Sequence, residues 1–165
     1  MRLLFLLGLT GCFHRPLIDK IYTVDHPGYG WKKLPRSGGA DRAWQHHASQ
    51  SVIYVDANCD QKFSDQNLKD AIVSLTHGIT EKKVEFRKYL SVAQRKAILQ
   101  VQNGELDGIP LKLALLVVSK NRCLFDFMYI APPKQFIVGL PNFLRTAQSL
   151  DTSIDKRYLP LENSK

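Results

Sequence analysis

Long apolar runs are missing from this chain. No stretch approaches the roughly 20 consecutive apolar residues that a membrane-spanning helix takes. The most apolar later segment, Leu113 to Val118, is short and flanked by Lys112 and Lys120. Cysteine is scarce, three in 165 residues, and no two of the three form a CxxC pair. That excludes zinc-ribbon and thioredoxin-type motifs. The HExxH of zinc proteases, the Walker phosphate loop, the GxGxxG dinucleotide turn and the GxSxG nucleophile elbow are absent as well. Acidic residues are the minority: 15 Asp and Glu stand against 23 Lys and Arg, a net charge of +8. Such a surface attracts anions, whether lipid headgroups, other envelope polyanions or nucleic acid. The basic residues are spread along the chain without a nucleic-acid motif, so nucleic acid is not an expected partner. Solubility and weak attraction to a membrane surface account for the charge.

What is present begins at the N-terminus. Met1 and Arg2 precede an apolar run from Leu3 to Leu9, and Leu9-Thr10-Gly11-Cys12 follows. Charge, apolar run and small residues in that order make an export signal, and its last four residues resemble a bacterial lipobox, in which the cysteine thiol receives diacylglycerol. The expectation is a signal peptide over residues 1–11, a lipid on Cys12, and a tether over 12–20. A single domain over 21–150 and a polar tail over 151–165 follow. The protein would then face the periplasm from a bacterial membrane, and Phe13 after the anchor cysteine points to the outer one. With Cys12 acylated, Cys59 and Cys123 remain, an even count in a compartment that permits disulfides. They are a candidate disulfide pair, the alternative being two buried thiols that never meet.

With 44% hydrophobic residues there is material for one core. Tyr22 to Trp31, with Pro27, Gly28 and Gly30, predicts a turn carrying aromatics at a core edge. Residues 35–42 predict a flexible loop. Ser51 to Ala57 predicts a strand. Ser64 or Asp65 can cap a helix to about His77, with Leu68, Ala71, Ile72, Leu75 and Ile79 at helical spacing and Gly78 as its stop. Val84–Leu90, Lys96–Leu106, Ile109–Ser119 and Cys123–Ile130 predict four strands, with Asp107-Gly108 a strong hairpin signal. Ile109 to Val118 is apolar on both faces, so that strand is covered on both sides. Pro141 can start a final helix bearing Phe143, Leu144, Ala147 and Leu150 on one stripe. A sheet apolar on both faces needs a helix on each, which predicts an α+β fold: a three-layer α/β/α sandwich with a mainly antiparallel sheet.

Candidate chemistry is sparse. Asp56, Asn58 and Asp60 match positions 1, 3 and 5 of a calcium loop, but Gln61 stands where the turn needs Gly and Asn67 where a bidentate Glu belongs. His46 and His47 are adjacent in an extended segment and would point to opposite faces. Cys59, His77 and Cys123 could meet around zinc, though nothing in their spacing requires it. Asp56 with Asp60, and Glu105 with Asp107, are acid pairs of the kind general acid–base chemistry uses, and also of the kind solvated turns contain. Ser37-Gly38-Gly39 lacks the strand-turn-helix context of a nucleophile. Lys134 and Arg145 could form part of a basic rim. The aromatics Tyr29, Trp31, Trp44, Tyr54, Phe86, Phe125, Phe127, Tyr129 and Phe136 are mostly core, with a few free to line a groove. No residue is assigned as catalytic, no metal or cofactor is expected, and the chain is not expected to be an enzyme.

The Gly28-Tyr29-Gly30-Trp31 turn, the strand and helix, the meander with Asp107-Gly108, and a C-terminal helix after Ala131-Pro132-Pro133 together resemble the PsbP-like superfamily. Mog-type and DcrB-type proteins belong to that group. The resemblance spans roughly residues 22 to 150, and the chain is also similar to short lipoproteins of Gram-negative bacteria. It implies a non-enzymatic binding or assembly role, with an unknown envelope protein or lipid as partner, and carries over no catalytic residue. A lipid or small-ligand carrier with a pocket between sheet and helix is a second expectation. A cytosolic Mog-type binding protein is a third, should Cys12 not be acylated.

Overall fold

The computed structural model describes residues 21–35, 40–59 and 67–152. The signal, Cys12, the tether, Ser37-Gly38-Gly39, Asp60, Gln61 and the Ser64 and Asp65 cap candidates lie outside them, as does the tail from residue 153. Seven strands form one antiparallel sheet: β1 (Trp31–Lys33), β2 (Arg42–His46), β3 (Val52–Asn58), β4 (Thr80–Val92), β5 (Arg95–Leu106), β6 (Ile109–Lys120) and β7 (Cys123–Ala131). Their spatial order is β1-β2-β3-β7-β6-β5-β4. Helix α1 (Leu68–Leu75) packs on β5 and β6, and helix α2 (Phe136–Gln148) packs on β6 and β7.

Alternation along the strands divides the core in two. Leu99, Val101, Ala114, Leu116, Phe125 and Phe127 point to one face, where Phe136, Phe143 and Ala147 of α2 close over them. Ile98, Leu113, Leu115, Val117 and Leu124 point to the other, under Ala71 and Ile72 of α1. Six consecutive residues of β6, Leu113 to Val118, are fully buried because each face has its own helix layer. The three-layer sandwich expected from the sequence is therefore the observed one.

The three hairpins of the meander share one device. Ala93-Gln94, Asp107-Gly108 and Asn121-Arg122 all take positive φ at both central positions, the twist-matching turn of tight hairpins. Ala93 and Gln94 are not residues that favour this region, and the Lys120 ammonium donates to the Ala93 carbonyl at 2.9 Å.

Several expectations need correction. The predicted loop over 35–42 ends in structure: Asp41 is buried and Arg42 opens β2. Asp41 accepts from the Tyr22 hydroxyl at 3.4 Å and from the Ala57 N–H at 3.0 Å, pinning the segment before β1 to β3. Trp31 is not merely at a turn but starts β1, sealed at 6% exposure, whereas Tyr29 is fully outside. Helix α1 is capped by Asn67, whose side chain accepts from the Lys69 N–H at 2.8 Å, and it ends at Leu75 rather than His77. The strand predicted over Val84–Leu90 runs from Thr80 to Val92. Helix α2 begins at Phe136, five residues before Pro141. Pro141 is tolerated because the carbonyl it leaves without a helical partner is that of Ile137, on the solvent side of the helix at 72% exposure. The packed chain continues past α2: Thr23 and Asp151 form a bridge, and Asn121 donates to the Thr152 hydroxyl at 3.1 Å.

Candidate functional site

Strands β3 and β7 run side by side at the centre of the sheet, and their register sets Asp56 opposite Asp126. Asp126 sits in a strand that is otherwise apolar, at 8% exposure, with Val117 of β6 on its other flank. Asp56 and Asp126 line a cavity of about 240 Å³ between the sheet and α1. Asn58 and Leu124 complete the sheet side, and Ala71, Ser74 and Leu75 form the α1 side. The Asn58 amide donates to Asp56 Oδ2 at 3.3 Å. Ser74 donates its hydroxyl to the Asp70 carbonyl at 3.1 Å, which leaves the oxygen able to accept. Asp56 Oδ1 and Asp126 Oδ1 are both buried without a hydrogen bond.

Electrostatics follow from this placement. Burial first, and then the neighbouring Asp56 charge, push the Asp126 carboxyl up from 3.8 to about 7, with Asn58 opposing. Two carboxyls on adjacent strands cannot both ionise freely in a buried site, so the pair holds a proton near neutral pH. Among the described residues no basic side chain lines the cavity.

Sequence reasoning reached Asp56 but not the partner that the sheet gives it. It set Asp56 beside Asp60 as an acid pair or calcium loop, whereas the sheet sets Asp56 beside Asp126. Asp60 lies outside the described residues. Asp126 itself was missed. The signal that could have found it is a lone carboxylate inside a strand with buried residues on both faces, a rule broken without a local reason.

The other candidates resolve into structural roles. Cys59 and Cys123 form a disulfide with their Cα atoms 4.0 Å apart. They continue the β3–β7 register one step beyond the Asn58–Leu124 pair. The bond consumes both thiolates, so the zinc grouping with His77 falls. His46 and His47 do not point to opposite faces. The strand ends at His46, the chain turns, and the two rings stack 5.3 Å apart. His46 Nδ1 accepts from the Ser49 N–H at 3.2 Å, and His47 Nδ1 lies 2.9 Å from the Gly30 carbonyl. Gly30 is required there: its φ is +83°, and a Cβ would meet His46 Nε2 at 2.5 Å. Among the described residues no three His, Cys, Asp or Glu side chains group as metal ligands. Glu105 and Asp107 sit at the tip of the β5–β6 hairpin. Arg145 is not a rim residue but donates, with Asn142, to the Pro27 carbonyl and so holds the first turn onto α2. Lys134 is exposed in the short 3-10 turn before α2.

The sheet edge is the other distinctive surface. Strand β4 is exposed along nearly its whole length, with Val84, Phe86 and Tyr89 open to solvent among Lys82, Lys83, Arg87 and Lys88. Two register shifts interrupt its pairing, between Thr80 and Lys83 and between Val84 and Phe86. Glu85 ties it inward, accepting from Asn103 at 2.9 Å and pairing with the Lys112 ammonium at 2.7 Å. The Lys112 contact holds the Glu85 carboxyl below its usual range.

No protein-family model matches the chain, and no curated protein matches it in sequence. Solved structures do match it in shape. CyanoP, the cyanobacterial PsbP from Synechocystis sp. PCC 6803, superposes with a TM-score of 0.57 at 12% identity, over 81% of this chain and 88% of its own. A Mog1 variant gives 0.57 at 9% identity, over 84% and 94%. LpqN, involved in cell envelope biogenesis of Mycobacterium tuberculosis, gives 0.56 at 11% identity, over 78% and 82%. The fold is PsbP/Mog1-like. At these identities the PsbP/Mog1-like likeness concerns architecture alone.

Proposed function

We propose that this chain is a lipid-anchored, non-catalytic binding protein of a bacterial cell envelope. The observation that carries the reading is the Cys59–Cys123 disulfide. Such bonds persist in oxidising compartments and are rare in the cytosol, which agrees with the export signal ending at Cys12 and disfavours the cytosolic Mog-type alternative. LpqN, of the same fold, is involved in cell envelope biogenesis. The mechanism is tethering. Acylation of Cys12 confines the domain to a membrane surface and raises its effective concentration for a partner there, and the several acyl chains of a mature lipoprotein give stable anchoring where one would not. Phe13 after the anchor favours the outer membrane, facing the periplasm. The basic β4 edge supports the same orientation through attraction to anionic headgroups.

A second reading, a small-ligand carrier, is favoured by the cavity under α1. At about 240 Å³ it is smaller than the roughly 300–1,000 Å³ of drug-sized ligand pockets. It suits a small polar ligand and not a whole lipid.

The test is palmitate labelling and membrane fractionation of the wild type beside Cys12→Ala. Labelled, membrane-bound wild type with an unlabelled variant supports the reading. Unlabelled wild type in the cytosol overturns it.

A further inference from the structure

We propose that the cavity between Asp56 and Asp126 binds a primary alkylammonium group, with the ammonium between the two carboxyls and its methylenes along Ala71, Leu75 and Leu124. This deepens the small-ligand reading by naming a ligand class, and it is independent of how the chain is anchored.

The lining dictates the chemistry. It is an acceptor-rich site: Asp56 Oδ1 and Asp126 Oδ1 are buried without partners, and the Ser74 hydroxyl, its proton committed to Asp70, offers a lone pair. An ammonium has three donors and no acceptor, which matches three such oxygens. Apart from Asn58, whose amide already donates to Asp56, the remaining walls are Ala71, Leu75 and Leu124, room for a few methylenes rather than a ring system or an acyl chain. A hard divalent cation fits poorly: calcium takes 6–8 oxygen ligands, whereas the described lining supplies side-chain oxygens from Asp56, Asn58, Ser74 and Asp126 only. The site is also out of character with the rest of the molecule. In a chain of net charge +8, a cavity lined by two carboxyls and, among the described residues, by no basic side chain is a local reversal of sign. Leaving a buried carboxyl oxygen on each of Asp56 and Asp126 without a partner is costly unless something pairs with it.

Binding is coupled to a proton. The cation replaces the proton that Asp126 holds near neutrality. The groups facing Asp126 are Asp56 and Asn58 from β3, Val117 from β6, Leu124 on its own strand, and Ala71, Ser74 and Leu75 from α1. Among the described residues Asp56 is the one titratable group facing it.

The experiment is calorimetric titration of the full-length protein with n-butylammonium chloride at pH 6 and pH 8, beside n-butanol as a neutral analogue and calcium chloride as a metal control. One saturable site is expected for butylammonium and none for butanol. Affinity should rise about tenfold from pH 6 to pH 8, the factor for displacing one proton from a group titrating near 7. Asp126→Asn and Asp56→Asn should each lose the site while keeping the wild-type circular dichroism. Absence of saturable butylammonium binding overturns the proposal. So does undiminished binding to Asp126→Asn, or saturable calcium binding in place of the amine. A free diamine and an Nα-acetyl-lysine amide then separate the two sources of the group, a small metabolite or a partner's lysine, by which one binds more tightly. Failure of this titration would leave palmitate labelling of Cys12 unchanged, and loss of labelling would leave the titration unchanged, so the two readings fail separately.

Discussion

Asp56 and Asp126 face each other across two adjacent strands at the centre of the sheet, on the side that α1 covers. Together they form a carboxyl pair that holds a proton near neutral pH inside a basic protein.

That pair makes folding stability fall as pH rises. The Asp126 carboxyl is raised from 3.8 to about 7 in the folded chain. Between those values the folded state keeps a proton that the unfolded state has released, so stability declines across the window and levels off above it. The loss is at most about 4 kcal/mol for a shift of this size. Asp126→Asn should flatten the decline and be more stable than the wild type at pH 8 but not at pH 4. Urea unfolding midpoints at both pH values check this, and a wild-type midpoint that climbs from pH 4 to pH 8 would contradict it.

Reducing the Cys59–Cys123 bond should destabilise the domain by about 2–4 kcal/mol, since it closes a loop with a sequence separation of 64. The same loss is expected for Cys59→Ser with Cys123→Ser. Thermal melts with and without reductant measure it, and melts that superimpose would show that the bond contributes nothing to the stability of the fold.

Gly139 on α2 is held against β7 at a distance that allows no side chain. A Cβ there would lie 2.5 Å from the Tyr129 hydroxyl and 2.9 Å from its ring carbon. That hydroxyl donates to the Phe136 carbonyl at 3.0 Å and is buried. Gly139→Ala should therefore cost about 1–3 kcal/mol through overpacking, and Tyr129→Phe about 1 kcal/mol through the lost hydrogen bond. The double variant should be less damaging than the sum, because removing the hydroxyl relieves part of the clash. Strict additivity in a double-mutant cycle would sink this account.

The lysines of β4 keep an exposed edge from pairing with another copy. Charged side chains and bulges are the usual guards of such edges, and β4 has both. Lys83→Val with Lys88→Val should speed aggregation at neutral pH, read by light scattering, while leaving the folded spectrum unchanged. Equal scattering from the variant and the wild type would assign the protection to the register shifts alone.

How much of this the sequence disclosed depends on the length and contrast of each pattern. Strands β5, β6 and β7 were legible because alternation or a continuous apolar run persists over nine to twelve residues and Asp107-Gly108 marks a turn. Strands β1 and β2 were not. Three and five residues long, they lie among Gly, Pro and Ser, and they are defined by long-range pairing that no local pattern encodes. The start of α2 was misread because Pro141 looks like a first-turn residue, and only the exposure of Ile137 shows why it is accepted further in. The carboxyl pair was half legible. Asp56 stands in a visibly polar segment, but its partner lies 70 residues on, and only the β3–β7 register brings Asp126 to it.

The disulfide also has a mechanical meaning. It joins the end of β3 to the start of β7, so that α1, β4, β5 and β6 lie inside a covalent ring. Force applied through the two ends of the chain passes across the Cys59–Cys123 bond and never loads what the ring encloses. Pulling can strip β1, β2, β3, β7 and α2, but roughly 200 Å of contour stays locked until the bond is reduced. Were the chain anchored at its N-terminus as proposed, α1 and strands β4 to β6 would stay linked under tension that undoes their flanks.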